Sequence, residues 1–269
     1  PLVFGCMGLG GDWNSPTTTT EQQQQGFAAI EAALELGFNC FDHADIYTRG
    51  KAEAVFGQFL AAQPQLRECL VLQSKCAIRF ADADHVGRYD FSAGYIADSV
   101  EQSLRRLQTE YLDILLLHRP DPLMQIDEVA EVLTRLQQSG KVRQFGVSNF
   151  GAPQQQLLQS ALQQPLVVNQ LQMSLANLDW LEANVLIGMP QGASHYFGYG
   201  TVEYCQLNKV QIQAWGSLAQ GRFSGAGRDL SATEQRTAEL VAKLAAEYQV
   251  SAEAIVLGWL MRHPACIQP

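Results

Sequence analysis

The chain has 269 residues, of which 47% are hydrophobic and 17% are charged, and its formal net charge is −9. A chain of this length and apolar content has enough material for a buried core, which excludes intrinsic disorder as its main state. The 27 acidic residues outnumber the 18 basic ones, so we expect no nucleic-acid partner.

Two further features of the composition predict where the protein works. No segment approaches about 18 consecutive apolar residues, and no basic region precedes an apolar one at the N-terminus. The sequence therefore indicates neither a transmembrane helix nor a signal peptide, and we expect no membrane partner. The six cysteines are scattered without a C-x-x-C pair, which favours reduced thiols and a cytoplasmic protein.

Short apolar runs alternate with longer segments of helical periodicity along the whole chain. We predict eight strands, at residues 2–6, 39–42, 70–74, 112–117, 144–147, 166–170, 210–214 and 265–267. Strands that alternate with helices are typical of β-α-β units in a parallel sheet. We therefore predict an α/β protein that forms a single domain over residues 1–269.

Between the strands, apolar residues recur at helical spacing. We predict helices around residues 27–34, 96–107, 126–136, 157–162, 240–248 and 252–262. Gly37 and Gly140 follow two of these segments as C-terminal caps, and Ser251 precedes another as an N-cap. Two stretches, residues 80–91 and 187–199, have no clear period and are predicted as loops.

If the parallel strands close into a barrel, the residues that follow each strand meet at one face, where active sites lie. These positions are rich in polar side chains. They are Asp42-His43-Ala44-Asp45-Ile46-Tyr47, Lys75, His118, Ser148-Asn149, Asn169-Gln170 and Trp215-Gly216-Ser217-Leu218.

Four of these residues form a chemically coherent set. A free tyrosine has a pKa of about 10, which an adjacent ammonium such as that of Lys75 lowers. A carboxylate such as that of Asp42 would keep this lysine protonated, and His118 could orient a substrate oxygen toward Tyr47. Each residue alone also has a structural explanation, as a cap, a rim residue, a strand end or a core histidine.

Several motifs make the chain resemble the aldo-keto reductase superfamily over essentially its whole length. They are Phe41-Asp42-His43-Ala44-Asp45-Ile46-Tyr47, Lys75, Leu116-Leu117-His118, the segment from Gly140 to Phe150, and Asn169-Gln170. The resemblance implies a (β/α)8 TIM barrel that reduces the carbonyl group of a small molecule with NADPH. By the same resemblance, Tyr47 is the proton donor of a catalytic tetrad with Asp42, Lys75 and His118.

The resemblance also implies the cofactor and substrate positions. Ser148, Asn149 and Gln170 match the residues that hold the nicotinamide carboxamide, and Trp215 matches a stacking aromatic that is usually Tyr in the family. The remaining cofactor candidates are Cys6, Met7, Asp42, Gly216, Ser217, Leu218 and Arg222. Arg222 is equally well explained as a surface cation. Trp13, Tyr47 and His118 are the substrate-site candidates, although Trp13 could instead only pack against its loop.

Other kinds of site fail on spacing. The glycines from Gly8 to Gly11 begin like a dinucleotide fingerprint, but Trp13 stands where its last glycine must be. Of the five histidines, only two follow strands in positions suited to a metal, so we expect no metal ion and disfavour a metal-dependent barrel hydrolase.

Two hypotheses therefore remain, a carbonyl reductase and a redox-sensing or regulatory subunit that binds the cofactor with little turnover. The sequence does not distinguish them, and it does not define the physiological substrate or the oligomeric state. Because the eighth predicted strand ends near Pro269, we also expect the natural protein to continue with a covering helix. In the family, that segment carries the basic residues that bind the 2′-phosphate of NADPH and so distinguish it from NADH.

Overall fold

The structure is a computed structural model that describes residues 2–195, 197–227 and 229–269. Its strands in these ranges are β1 (Phe4–Gly5), β2 (Cys40–Asp42), β3 (Val71–Cys76), β4 (Ile78–Arg79), β5 (Arg88–Tyr89), β6 (Leu112–Leu117), β7 (Val142–Ser148), β8 (Leu166–Gln172) and β9 (Gln211–Trp215). Its α-helices are α1 (Thr20–Glu35), α2 (Lys51–Ala62), α3 (Ala93–Leu107), α4 (Ile126–Gln138), α5 (Ala152–Ala161), α6 (Asp179–Val185), α7 (Thr201–Asn208), α8 (Ala232–Tyr248) and α9 (Ala252–Met261).

The chain forms two compact units. The first comprises Pro1–Ser148 and Gln156–Val167, and the second comprises Asn149–Gln155 and Val168–Pro269. The single domain expected over the whole sequence stays a prediction.

The first unit is built on a parallel sheet in which β1, β2, β3, β6 and β7 are neighbours in that order. Its register aligns Asp42 with Gln73 and Lys75 with Leu116. Strand β6 is buried along its whole length, as expected for a parallel strand that is covered on both faces. The predicted strands therefore form the core of this unit.

Helix prediction succeeded where one face of the helix is polar. In α3, Ile96, Val100 and Leu104 are buried as the spacing predicted, and Gly37 and Gly140 have the positive φ angles of C-terminal caps. Helix α2 was missed. It buries seven of its twelve residues, including Val55 and Phe56, so little helical alternation of polar and apolar residues is left in its sequence.

In the second unit, β8 and β9 pair in parallel. Trp180, Met173, Ile212 and Leu260 belong to its apolar core. The side chain of Ser251 accepts a hydrogen bond from a backbone N–H in the first turn of α9, which confirms the predicted N-cap.

The eighth predicted strand, at residues 265–267, is a correction. Here the described chain forms only an isolated parallel bridge between Gln213 and Gln268. Cys266 has a φ of 51°, and this left-handed conformation interrupts the extended backbone that a strand requires.

The two predicted loops contain some regular structure. Strand β5 lies within residues 80–91 and pairs in antiparallel fashion with β4. A short 3₁₀-helix, Pro190–Ser194, lies within residues 187–199, where Tyr196 is outside the described residues. Across the ranges that the structure describes, no helix is both long and apolar enough to cross a membrane.

Helices α2 and α3 approach each other closely at Gly57. A Cβ atom at this position would lie 2.0 Å from the carbonyl oxygen of Arg106 and 2.8 Å from the carbonyl carbon of Leu107. Both contacts are with backbone, which cannot rotate away as a side chain can. A glycine is therefore required for the two helices to pack at this distance.

We predict that Gly57→Ala lowers the free energy of unfolding by about 3 kcal/mol, at the upper end of overpacking costs. Gly94→Ala is the matched control because Gly94 is in α3 and its Cβ would meet nothing within 4 Å. It should raise stability by about 0.5 kcal/mol. Urea denaturation of both variants measures the difference in free energy of unfolding. Equal effects would contradict a steric requirement for glycine at position 57.

Candidate active site

The four residues of the predicted tetrad lie together in the first unit. The Nζ atom of Lys75 is 2.6 and 2.7 Å from the carboxylate oxygens of Asp42, and it is 3.0 Å from the hydroxyl oxygen of Tyr47. The rings of Tyr47 and His118 meet edge to face, with their centroids 6.1 Å apart. Residues distant in sequence thus share one polar cluster.

Backbone pairing beyond the end of β2 positions these side chains. The N–H of His43 donates to the carbonyl of Gln73, and the N–H of Asp45 donates to the carbonyl of Lys75. The chain then turns into a 3₁₀-helix, Tyr47–Gly50. In this turn Thr48 and Arg49 have φ angles of 46° and 59°, which are uncommon for residues other than glycine. A constrained turn therefore carries Tyr47.

Lys75 is fully buried, and an ammonium group in that environment needs anionic or polar partners. Besides Asp42 and Tyr47, its Nζ atom contacts the carbonyl oxygen of His43 at 2.8 Å. Burial lowers the pKa of Lys75, but Asp42 and Tyr47 raise it by more. The pKa therefore lies above its ordinary value, and the lysine is charged at neutral pH.

Burial also controls the acidity of Tyr47 and His118. It raises the pKa of Tyr47, Lys75 lowers it, and the net result is a pKa above the ordinary value. This corrects the expectation that the ammonium effect would dominate. Burial, with Lys75 and Arg119, lowers the pKa of His118 to about 3. At neutral pH the site thus holds a protonated phenol and a neutral imidazole.

Two buried contacts of β3 were missed in the sequence. The Nε2 atom of Gln73 donates to Oδ1 of Asp42 at 2.5 Å, on the same side as Lys75. Ser74 faces the other way and donates to the buried carboxylate of Glu53, which is also paired with Arg106 at 2.8 Å. The available signal was the run of three consecutive polar residues within an otherwise apolar strand.

The other candidates in the first unit have varied surroundings. Cys6 is buried, and its backbone N–H donates to the carbonyl of Asp42. Ser148 is buried at the end of β7, whereas Met7 is about half exposed and Trp13 is partly buried in a turn. Cys6 and Ser148 therefore lie at the carboxyl ends of the strands, where the sequence placed them.

In the second unit, three predicted cofactor residues come together. The indole Nε1 of Trp215 donates to Oδ1 of Asn149 at 3.0 Å, and the N–H of Asn149 donates to the carbonyl of Gln170. The two side-chain amides both donate and accept hydrogen bonds, and the indole offers a flat face. This donor set fits a nicotinamide ring with its carboxamide.

The segment after β9 contains several left-handed residues. Gly216, Ala219, Gln220 and Gly221 all have positive φ angles, and a Cβ at Gly216 would meet nothing within 4 Å. Arg222 at its end forms a two-pronged ion pair with Glu234, at 2.6 and 2.9 Å. A phosphate would have to share this guanidinium, so its role toward a cofactor stays a prediction.

Among the described residues, one group has the composition of a metal site. It consists of Asp179, Glu182 and His195 in the second unit. The Nδ1 atom of His195 lies 3.2 and 3.1 Å from the two carboxylates. One N–H at Nδ1, shared between the two carboxylates, accounts for both contacts without a metal ion, so this arrangement by itself does not point to one.

Comparison with known proteins identifies the family. The model of the aldo/keto reductase family matches residues 1–269. The chain is 38% identical over 273 residues to a 6-dehydroglucose reductase of Agrobacterium fabrum, covering 100% of this chain and 82% of that protein.

Solved structures agree with this result. An aldo/keto reductase from Klebsiella pneumoniae, in complex with NADP and acetate, is 26% identical with a TM-score of 0.69, over 100% of this chain and 80% of that chain. The fold is also that of a glycerol dehydrogenase from Gluconobacter oxydans, at 23% identity and a TM-score of 0.78, over 99% and 81% of the chains. These matches confirm the predicted α/β barrel class. The chain belongs to the aldo/keto reductase family and is an NAD(P)H-dependent oxidoreductase of that type.

Proposed function

We propose that this protein reduces an aldehyde or ketone to an alcohol with NADPH and that Tyr47 is the proton donor. The observation that carries the proposal is the buried Lys75 ammonium, which contacts both Asp42 and the hydroxyl of Tyr47. Burial keeps the proton on this phenol at neutral pH, and the neighbouring ammonium polarises it, which suits a proton donor in a family of oxidoreductases.

The proposed chemistry assigns a separate task to each polar group. NADPH, when bound, supplies the hydride. The carbonyl oxygen, which gains negative charge as hydride arrives, takes the proton of the Tyr47 hydroxyl, so that the carbonyl compound, one hydride and one proton give one alcohol. Lys75 stabilises the phenolate that is left behind. His118 is neutral and donates an N–H to the same oxygen, which orients the substrate.

The remaining candidates would hold the cofactor and the substrate. We assign Ser148, Asn149 and Gln170 to the carboxamide, and Trp215 to the face of the ring. Further cofactor contacts are proposed for Cys6, Met7, Asp42, Gly216, Ser217, Leu218 and Arg222. Trp13 would line the substrate site with Tyr47 and His118. The mixed donors and acceptors of the amide side chains support the carboxamide assignment.

The name of the relative from Agrobacterium fabrum suggests a substrate class. Because it is named a 6-dehydroglucose reductase, we include sugars that carry an aldehyde at C6 among the candidate substrates.

We predict that Tyr47→Phe lowers kcat for carbonyl reduction by about 10²- to 10⁴-fold, the usual contribution of a general acid. Cofactor affinity should change little because the ring remains. Stopped-flow turnover with a panel of small aldehydes and fluorescence titration with NADPH measure the two quantities. Unchanged turnover would show that another group donates the proton.

The same assay tests the alternative of a redox-sensing subunit. Tight NADPH binding without turnover by the parent protein, over the whole aldehyde panel, would favour that role over a reductase.

We predict that Lys75→Met moves the alkaline limb of the kcat profile for reduction to higher pH and lowers its plateau. Removal of the ammonium takes away the influence that lowers the Tyr47 pKa, so the phenol becomes a weaker acid. Measurement of kcat against pH gives both effects, and an unmoved limb would mean that Lys75 is only structural.

A stability control is needed because Lys75→Met leaves the carboxylate of Asp42 buried without its ion-pair partner, a change that typically costs about 3–5 kcal/mol. The double variant Asp42→Asn/Lys75→Met removes both charges. It should regain stability while its kcat stays low.

We further predict that 6-dehydroglucose is reduced with a higher kcat/KM than an aldehyde of similar size without hydroxyl groups. A site built for a sugar has polar groups that form hydrogen bonds with the hydroxyl groups of the substrate. An aldehyde without hydroxyl groups leaves them unpaired. Steady-state NADPH oxidation with each compound measures the preference. Equal values would remove sugars from the candidate class without affecting the assignment of Tyr47.

A further inference from the structure

Gln73 is the one residue of β3 whose side chain shares the Asp42 carboxylate with Lys75. It is fully buried, and it stands directly opposite Asp42 in the register of β2 and β3. Its position two residues before Lys75 puts both side chains on the same face of the strand. A carboxylate accepts hydrogen bonds only, so the amide presents its Nε2 donor to Asp42, at 2.5 Å.

The lysine ammonium has more acceptors than protons. Its Nζ atom lies 2.6–3.0 Å from four oxygens, two on Asp42, one on His43 and one on Tyr47. An ammonium carries three protons. If one goes to Tyr47 and one to the carbonyl of His43, the two carboxylate oxygens of Asp42 must share the third. A second donor on the carboxylate makes that sharing favourable.

We propose that Gln73 is a positioning residue that satisfies Oδ1 of Asp42 and thereby leaves one proton of Lys75 for the hydroxyl oxygen of Tyr47. This rests on the proposed function in so far as Tyr47 is the proton donor. Gln73 does not touch the reacting atoms. It acts on Tyr47 through Asp42 and Lys75.

The chemistry of an amide suits this position better than that of a charged side chain. Asp42 and Lys75 form a neutral pair with no room for a further charge in a buried site. An arginine or lysine would compete for Asp42, and an ionised glutamate would compete for Lys75. The amide donates a strong hydrogen bond to an ionised acceptor and adds no charge.

Two variants and one control test the proposal. Gln73→Met keeps the length of the side chain and removes the donor. Gln73→Glu restores a donor only while the introduced carboxyl is protonated. Ser74→Ala is the matched control because Ser74 is the next residue of the same strand, equally buried, with its side chain bonded to Glu53 instead.

We predict that Gln73→Met lowers kcat by about tenfold, the scale of a lost hydrogen bond to a charged group, and moves the alkaline limb to higher pH. Gln73→Glu should keep near-parental kcat at low pH and lose it as the introduced carboxyl ionises. Ser74→Ala should lower thermal stability without moving the kcat profile. A parental profile in both Gln73 variants would overturn the proposal.

A second measurement requires no turnover and so separates this proposal from the proposed function. Tyrosine labelled with carbon-13 at Cζ reports hydrogen bonding at the phenol by NMR, and Tyr47→Phe identifies the resonance of Tyr47. We expect this resonance to move in Gln73→Met and to stay in place in Ser74→Ala. If it stays in place in all variants, Gln73 has no positioning role, whether or not the protein reduces carbonyl compounds.

Discussion

The buried ammonium of Lys75 is the constraint on which the first unit depends. A charge without water must be surrounded by acceptors, and here they come from the end of β2 and the chain that follows it, namely Asp42, the carbonyl of His43, and Tyr47. These contacts require a definite register between β2 and β3. A shift of one residue would turn Lys75 to the opposite face of its strand.

Strand β3 carries polar groups toward both of its faces. Gln73 and Lys75 serve Asp42 on one face, while Ser74 on the other reaches Glu53, which is paired with Arg106 on α3. The close approach of α2 and α3 at Gly57 brings this second network under the strand. Three consecutive side chains of β3 thus alternate between the carboxylate of Asp42 and that of Glu53 in the helix layer.

The second unit shows how a departure from the family pattern is accommodated. Trp215 stands where the resemblance predicts a tyrosine, and its indole N–H, which a tyrosine lacks, is satisfied by Asn149 at 3.0 Å. Like the ring of a tyrosine, the indole has a large flat aromatic face. The following Gly216, with its positive φ, opens the turn without steric cost.

The amino-acid sequence by itself determined the alternation of strands and helices, the resemblance to the family, and the expectation that Asp42, Tyr47, Lys75 and His118 lie together, because apolar periodicity and short motifs are local properties. Helix α2 escaped because burial on most sides removes its periodicity, and the strand expected at residues 265–267 was lost to the left-handed Cys266. Only the tertiary structure decided the protonation states of Tyr47 and His118 and the hydrogen bond from Gln73 to Asp42. Burial, which raises the pKa of Tyr47 and lowers that of His118, and the donor from Gln73 both depend on neighbours brought together by strand register, which no local pattern encodes.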